Sequence, residues 1–204
     1  DPKPRQPRSC RMLVLSPTRE LAAQIADNMV GYAKFLNMSV MTVFGGVPVG
    51  KQISSLGRGV EILVATPGRL LDLIDQRALV LDHVEIFVLD EADQMMDLGF
   101  IKPLTQIARL LPAKRQSLFF SATMPAPIAA LTKEMLSNPV TLNLQRQAAP
   151  AKGITQAVYP VSQDLKSALL VALLKRGDMP QALVFTRTKH RANRLASQLV
   201  AAGI

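Results

Sequence analysis

The chain has 204 residues, 49% of them apolar and 19% charged. These proportions support a buried core and exclude a disordered polyelectrolyte. Its single cysteine, Cys10, excludes an internal disulfide and fits a reducing compartment, here expected to be the cytoplasm. The net charge of +9 points to a polyanionic partner or a solvated basic surface, and it is uneven: from Lys152 onward 8 Lys+Arg face 2 Asp+Glu, net +6, against 16 and 13, net +3, before it.

In chain order, residues 1–9 (DPKPRQPRS) are Pro-rich and basic and read as an exposed loop. Apolar, β-rich runs follow at 11–16, 38–44, 61–65, 84–90, 116–121 and 140–144. Between most of them lie segments of helical period, at 20–36, 69–76, 100–111 and 127–136. Strands alternating with helices predict a parallel α/β sheet with helices on both faces. Residues 145–153, QRQAAPAKG, read as a linker. Beyond it the pattern restarts, with strands at 154–161 and 182–186, a helix over 162–177 and a final helix. The expected organisation is a first domain at 1–144 and the start of a second at 154–204. The longest apolar runs, such as ALLVALL at 168–174, are too short for a bilayer, and no secretory signal opens the chain, so no membrane partner is expected.

Four strand ends share a chemistry: LVLSPTR, LVATPGR, FFSATMP and LVFTRTK each leave an apolar run for Ser or Thr, and three add Arg19, Arg69 or Arg187. Parallel sheets bind ligands at the carboxyl ends of their strands. Taken singly, the hydroxyls are ordinary helix caps, and Pro17 and Pro67 suit the first helical position. The arginines resist that account, because a cation at a helix N-terminus faces the positive end of the dipole. A phosphate backbone across these turns would reverse the sign.

The run VEIFVL at 84–89 delivers the chain into Asp90, Glu91 and Asp93. Carboxylates are favourable at a helix N-terminus, but that does not explain why they follow a strand with no polar break. A strand-terminal Asp can hold hydrated Mg²⁺ at a nucleotide's terminal phosphates, and an adjacent Glu can activate water. A metal-dependent nuclease would want further acids or His, and the two histidines, His83 and His190, sit apart. The pattern G-x-x-x-x-G-K occurs once, at 45–51, but Gln52 follows where a Mg²⁺-binding hydroxyl belongs, so it reads as a chance match.

PTRELA at 17–22, GG at 45–46, TPGR at 66–69, DEAD at 90–93, SAT at 121–123 and VFTRT at 184–188 occur in one order. In that set the chain resembles DEAD-box ATP-dependent RNA helicases of superfamily 2, and LDEADQMMDLGF and VFTRTKHRANRLA look most like the bacterial RhlE-type subgroup. The resemblance implies RecA-like domains, ATP with Mg²⁺, and RNA, single-stranded or in short duplexes. It implies that Asp90 holds Mg²⁺ through water, that Glu91 activates the hydrolytic water, and that Asp93 bonds to the turn Ser121, Ala122, Thr123 to couple nucleotide state to closure. Thr18, Arg19, Gly45, Gly46, Thr66, Gly68 and Arg69 would hold RNA, as would Arg187, Thr188 and Lys189 less directly. The family's adenine-reading segment and Walker loop should precede residue 1, and its arginine finger should follow Ile204. The chain is therefore expected to be an internal fragment that does not turn over ATP alone. The competing readings are a nucleic-acid-binding module without ATPase activity and a DNA-directed superfamily 2 helicase.

Overall fold

The computed structural model describes residues 4–143, 153–177 and 179–204. They form two compact units, residues 1–142 and 143–204.

The first unit is a five-stranded sheet of β1 (Cys10–Leu15), β2 (Val40–Val43), β3 (Val60–Ala65), β4 (Ile86–Leu89) and β5 (Gln116–Phe119). Its order is β2-β3-β1-β4-β5 and every pairing is parallel. Crossover helices make this possible: α1 (Arg19–Ala33), α2 (Val49–Leu56), α3 (Pro67–Asp75), α4 (Ala92–Asp97), α5 (Ile101–Leu110) and α6 (Ala126–Met135).

Successive strand side chains point to opposite faces, so the uninterrupted apolar runs bury both. Leu13, Leu15, Leu63, Phe87 and Leu89 face a large core with Leu70, Leu73, Leu104, Ile107, Ile128 and Leu131 of the later helices. Val14, Ile62 and Val64 face the other way, against Ala22 and Ala26 of α1. Those alanines, four apart, make a small-residue stripe that lets the helix lie close to the sheet.

The opening segment is exposed over residues 4–8 but anchored to the amino ends of the strands. The backbone N–H of Arg8 donates to Leu56 O and Val80 N–H donates to Arg8 O, at 3.2 and 2.8 Å. Beneath it, Gly59 has φ 73°, and a Cβ there would sit 2.0 Å from Gln6 O. Glu61 closes this end of the molecule: its Oε1 accepts from Arg5 Nε at 2.7 Å, and its Oε2 accepts from the backbone N–H of Ser39 at 2.8 Å and from the Ser39 hydroxyl. Burial pushes the Glu61 carboxyl up, but these hydrogen bonds outweigh it and hold the group near a pKa of about 2.

The second unit has a 3₁₀ turn at Gln163–Leu165, then α7 (Lys166–Lys175) and α8 (Lys189–Ala201). Three expected strands do not form: the described part of 140–144, at the end of the first unit, and 154–161 and 182–186 in the second have no ladder among the described residues. A strand is a pairing rather than a run of β-formers, and these segments find no partner edge. Leu183 and Phe185 accordingly stay 83% and 87% exposed. The expected linker at 145–153 lies, apart from Gly153, outside the described residues.

Candidate nucleotide and nucleic-acid site

The sheet register brings Val43, Ala65, Leu15, Leu89 and Phe119 into one row, so all five strands end level. The ladder runs one residue further: Ser16 N–H donates to Ala65 O, Thr66 N–H to Val43 O, Asp90 N–H to Leu15 O and Phe120 N–H to Leu89 O, at 2.8–3.1 Å. The turns bearing Thr18 and Arg19, Gly45 and Gly46, Thr66 to Arg69, Asp90 to Asp93, and Ser121 to Thr123 therefore share one rim. This is the carboxyl edge, where parallel sheets bind ligands.

On one half of that rim, the turn after β2 is a hub. The Arg19 guanidinium lies over Gly46, where a Cβ would be 2.7 Å from Nη1. The Arg69 Nη2 donates to Val47 O at 3.0 Å, and the Gln52 amide donates to Phe44 O at 3.1 Å. Thus Gln52, which spoils the G-x-x-x-x-G-K match, is turned inward as a brace. The arginines also have acidic partners within the chain that the sequence reading did not assign. Arg69 Nε pairs with Asp72 at 3.3 Å, one turn along α3, while Arg19 Nη2 is 3.8 Å from Glu20. Their placement at helix N-termini is thereby eased without a ligand, although Arg69 Nη1 is buried without a hydrogen-bond partner. Thr18 caps α1 by accepting from Leu21 N–H at 3.2 Å, which puts Pro17 before the cap. Thr66 makes no such bond, and Pro67 is the first residue of α3.

Gly45 and Gly68 have no reason inside the chain to be glycine. Neither has a positive φ, and a Cβ at either would meet no atom within 4 Å. Both leave open surface where a ligand's backbone can approach.

The other half of the rim is acidic. Glu91 is in the left-handed region, φ 52° and ψ 51°, which costs a non-glycine residue about 1–2 kcal/mol. Its N–H donates to Asp90 Oδ1 at 3.0 Å. Asp93 reaches across to the turn after β5: its Oδ2 accepts from the backbone N–H and the hydroxyl of Thr123, at 2.9 and 2.8 Å. Its own N–H donates to Ser121 Oγ at 3.2 Å, and that hydroxyl donates to Thr123 O at 2.8 Å. Burial pushes the Asp93 carboxyl up, yet the bonds from the Thr123 hydroxyl and from the Thr123 and Gln94 N–H groups hold it below its ordinary value. Asp90, Glu91, Asp93, Asp97, Ser121 and Ala122 line a pocket of about 460 Å³. Among the described residues no three His, Cys, Asp or Glu converge to ligate an ion directly. A cation held through its water shell fits this arrangement, because several carboxylates border one pocket without closing on a common point.

Sequence reasoning omitted Asp97 and Gln94 from this pocket; Asp97 was legible as the residue one helical turn after Asp93. In the second unit Thr188 caps α8, accepting from Arg191 N–H at 3.3 Å, with Arg187 just before and Lys189 opening the helix. This turn follows no strand, so its likeness to the other three is in residues and not in sheet position. His83 precedes β4 at the opposite edge, and His190 is exposed on α8.

Residues 4–131 match the family model described as "DEAD/DEAH box helicase". The chain is 40% identical over 94% of its length to "RNA helicase CrhR" of Synechocystis sp., covering 39% of that protein. It is 39% identical over its whole length to "ATP-dependent RNA helicase RhlB" of Pseudomonas putida, covering 52%. A solved structure described as a hypothetical ATP-dependent RNA helicase from Sulfolobus tokodaii superposes on 63% of this chain and 39% of its own, with a TM-score of 0.61 and 37% identity, and places the parallel sheet among RecA-like folds. The chain thus spans between about two fifths and a half of the length of these proteins. Because the matched residues carry every turn of the rim, and Asp90 to Asp93 spell its acidic tetrad, the chain belongs to the DEAD/DEAH box helicase family.

Proposed function

We propose that this chain works within an ATP-dependent RNA helicase, coupling ATP binding and hydrolysis to the separation or remodelling of short RNA duplexes. The observation that carries the reading is the Asp93–Thr123 clasp, which joins the acid-bearing turn to its neighbour on the same rim as the open glycine surface. Asp90 would hold hydrated Mg²⁺, and the ion would supply positive charge beside a nucleotide's terminal phosphates. Glu91 orients the attacking water and accepts its proton. Asp93, with Ser121, Ala122 and Thr123, transmits the state of the pocket to the turn after β5. Thr18, Arg19, Gly45, Gly46, Thr66 and Gly68 grip the RNA backbone through N–H groups, hydroxyls and one exposed guanidinium. Arg69 contributes mainly by fixing Val47. Arg187, Thr188 and Lys189 extend the grip in the second unit.

A first domain at 1–144, a linker at 145–153 and a second domain from 154 suit such an enzyme, which closes two domains around its ligands. The wording of 89–100 favours the RhlE-type branch. Among the described residues no helix is long and apolar enough to cross a membrane, and the buried free thiol of Cys10 suits the cytoplasm.

The test is fluorescence anisotropy of a labelled single-stranded oligoribonucleotide titrated with the chain between about 50 and 200 mM salt. Binding is expected to be weak, to fall with salt and to weaken further in Arg19→Ala. Affinity indifferent to salt would sink the reading. Equal affinity for the matching deoxyoligonucleotide would favour a DNA-directed enzyme.

A further inference from the structure

The amino edge of the first unit carries charge that the rim does not use. Arg8 stands two residues before β1, Arg58 two before β3, and Arg77 follows α3. All three therefore lie at the end of the sheet opposite the rim, about 13–20 Å from it at roughly 3.3 Å per strand residue. Hydrogen bonds tie them into one surface. Leu56 O accepts from the backbone N–H groups of Arg8 and Gly59, at 3.2 and 2.8 Å, and Arg8 Nη1 donates to Arg77 O at 3.1 Å. We infer that this surface is a second RNA-backbone contact, which takes the part of a long RNA that lies beyond the rim. The identity of the polyanion rests on the RNA reading above.

Three observations separate this surface from a solvated basic face. All three arginines are exposed, and none forms an ion pair with a described residue. On the same edge Arg5 and Arg11 are matched by Glu61 and Glu85, at 2.7 and 3.2 Å. Second, Arg77 stands where a glycine belongs. Ala78 N–H donates to Leu73 O at 2.9 Å and Arg77 N–H to Ile74 O at 2.8 Å, the Schellman close of α3, and Arg77 takes its left-handed position with φ 55°. A side chain there costs stability that glycine would not. Third, Arg8, bonded to it, is left-handed as well, with φ 53°. A cation favoured by the helix dipole explains less, because neither α2 nor α3 has a basic residue in its last turn, where the dipole is best served. Unpaired like charges side by side also repel, a cost that a polyanion lying across them reverses. All three are arginines, whose forks match phosphate oxygens two at a time.

The experiment uses the full chain and fluorescein-labelled oligouridylates of about 8 and about 40 nucleotides, with anisotropy followed across a salt series. At about 3.4 Å per stacked nucleotide these reach roughly 27 and 136 Å, so only the longer one spans both edges with ease. The variant is Arg8→Gly with Arg58→Ala and Arg77→Gly. Glycine relieves the backbone at both left-handed positions, so the variant should melt no lower than the wild type, which separates lost charge from a folding defect. It is expected to bind the longer RNA about tenfold more weakly at low salt, with a salt slope shallower by about 2, three phosphates at roughly 0.7 each. The shorter RNA, which the rim still holds, should change by no more than about twofold. Lys at all three positions should keep the slope. If the variant binds the longer RNA with wild-type affinity and slope while Arg19→Ala still weakens both lengths, the surface is refuted and the RNA reading survives. If the wild-type chain binds neither length, the RNA reading itself fails and this contact with it. Labelled polyglutamate that binds the wild type and not the variant, with the longer RNA unaffected, would assign the surface to an acidic protein segment and overturn the RNA contact.

Discussion

Asp93 Oδ2 and Thr123 meet twice, the backbone N–H at 2.9 Å and the hydroxyl at 2.8 Å, across thirty residues of sequence and between two adjacent strand ends. Two donors on one carboxylate oxygen make a clasp that is strong while the carboxyl is ionised. Asp93→Ala and Thr123→Val should each destabilise the first unit by about 1–2 kcal/mol. Their double-mutant cycle in urea should return a coupling of about 1 kcal/mol. Because the Asp93 carboxyl is held below its ordinary 3.8, its contribution is complete above that pH and disappears as pH falls through the lower folded value. Additive single effects would mean the contact carries no coupling.

Gly45→Ala and Gly68→Ala offer a cleaner separation of structure from function. Since a Cβ at either meets nothing, neither should unfold the protein, and Gly68→Ala, inside α3, should raise stability by up to about 1 kcal/mol. Both should nevertheless weaken RNA binding several-fold. Unchanged affinity with unchanged stability would show that the open surface has no ligand.

The turn from Gly45 to Gln52 should not cradle a nucleotide's phosphates. Arg19 covers Gly46, Arg69 holds Val47 O and Gln52 bonds inward to Phe44 O, so the turn is braced in one shape and Gln52 presents no hydroxyl to a metal. No RNA-stimulated release of phosphate from ATP is expected from this chain alone, and Lys51→Ala should change nothing. Turnover abolished by Lys51→Ala would reverse this assignment.

Glu61 should be the largest single electrostatic contributor at the amino edge. Glu61→Ala leaves the backbone N–H and hydroxyl of Ser39 and the Arg5 guanidinium without their acceptor, for a loss of about 2–3 kcal/mol in urea unfolding. The folded carboxyl titrates at about 2 against an ordinary 4.5, so this stabilisation is full above about 4.5 and fades as pH falls toward 2. Glu61→Ala should therefore flatten the acid limb of the stability profile.

Cys10 gives a built-in probe of global opening. It is fully buried in β1, and burial pushes its thiol up to about 12. In native buffer at about pH 8 it should react with a disulfide reagent only through unfolding, at a rate that rises with urea. Prompt reaction without denaturant would place the β1 end of the sheet in rapid local exchange.

The sequence by itself determined the local parts: apolar runs long enough to be strands, helices of regular period between them, and hydroxyls, glycines, arginines and acids where those strands stop. Each follows from interactions within a few residues, so one chain read in order suffices. It could not say which runs would pair. Five did, and among the described residues the runs at 140–143, 154–161 and 182–186 did not, because a β-ladder depends on a partner edge that local composition cannot supply. Nor could spacing alone say that Arg19 would lie over Gly46. Arg69 with Asp72, by contrast, was open to reading as a one-turn helical pair. The level row of strand ends is what only tertiary structure decided: parallel register places turns dozens of residues apart side by side, and the chemistry of the rim exists only in that juxtaposition.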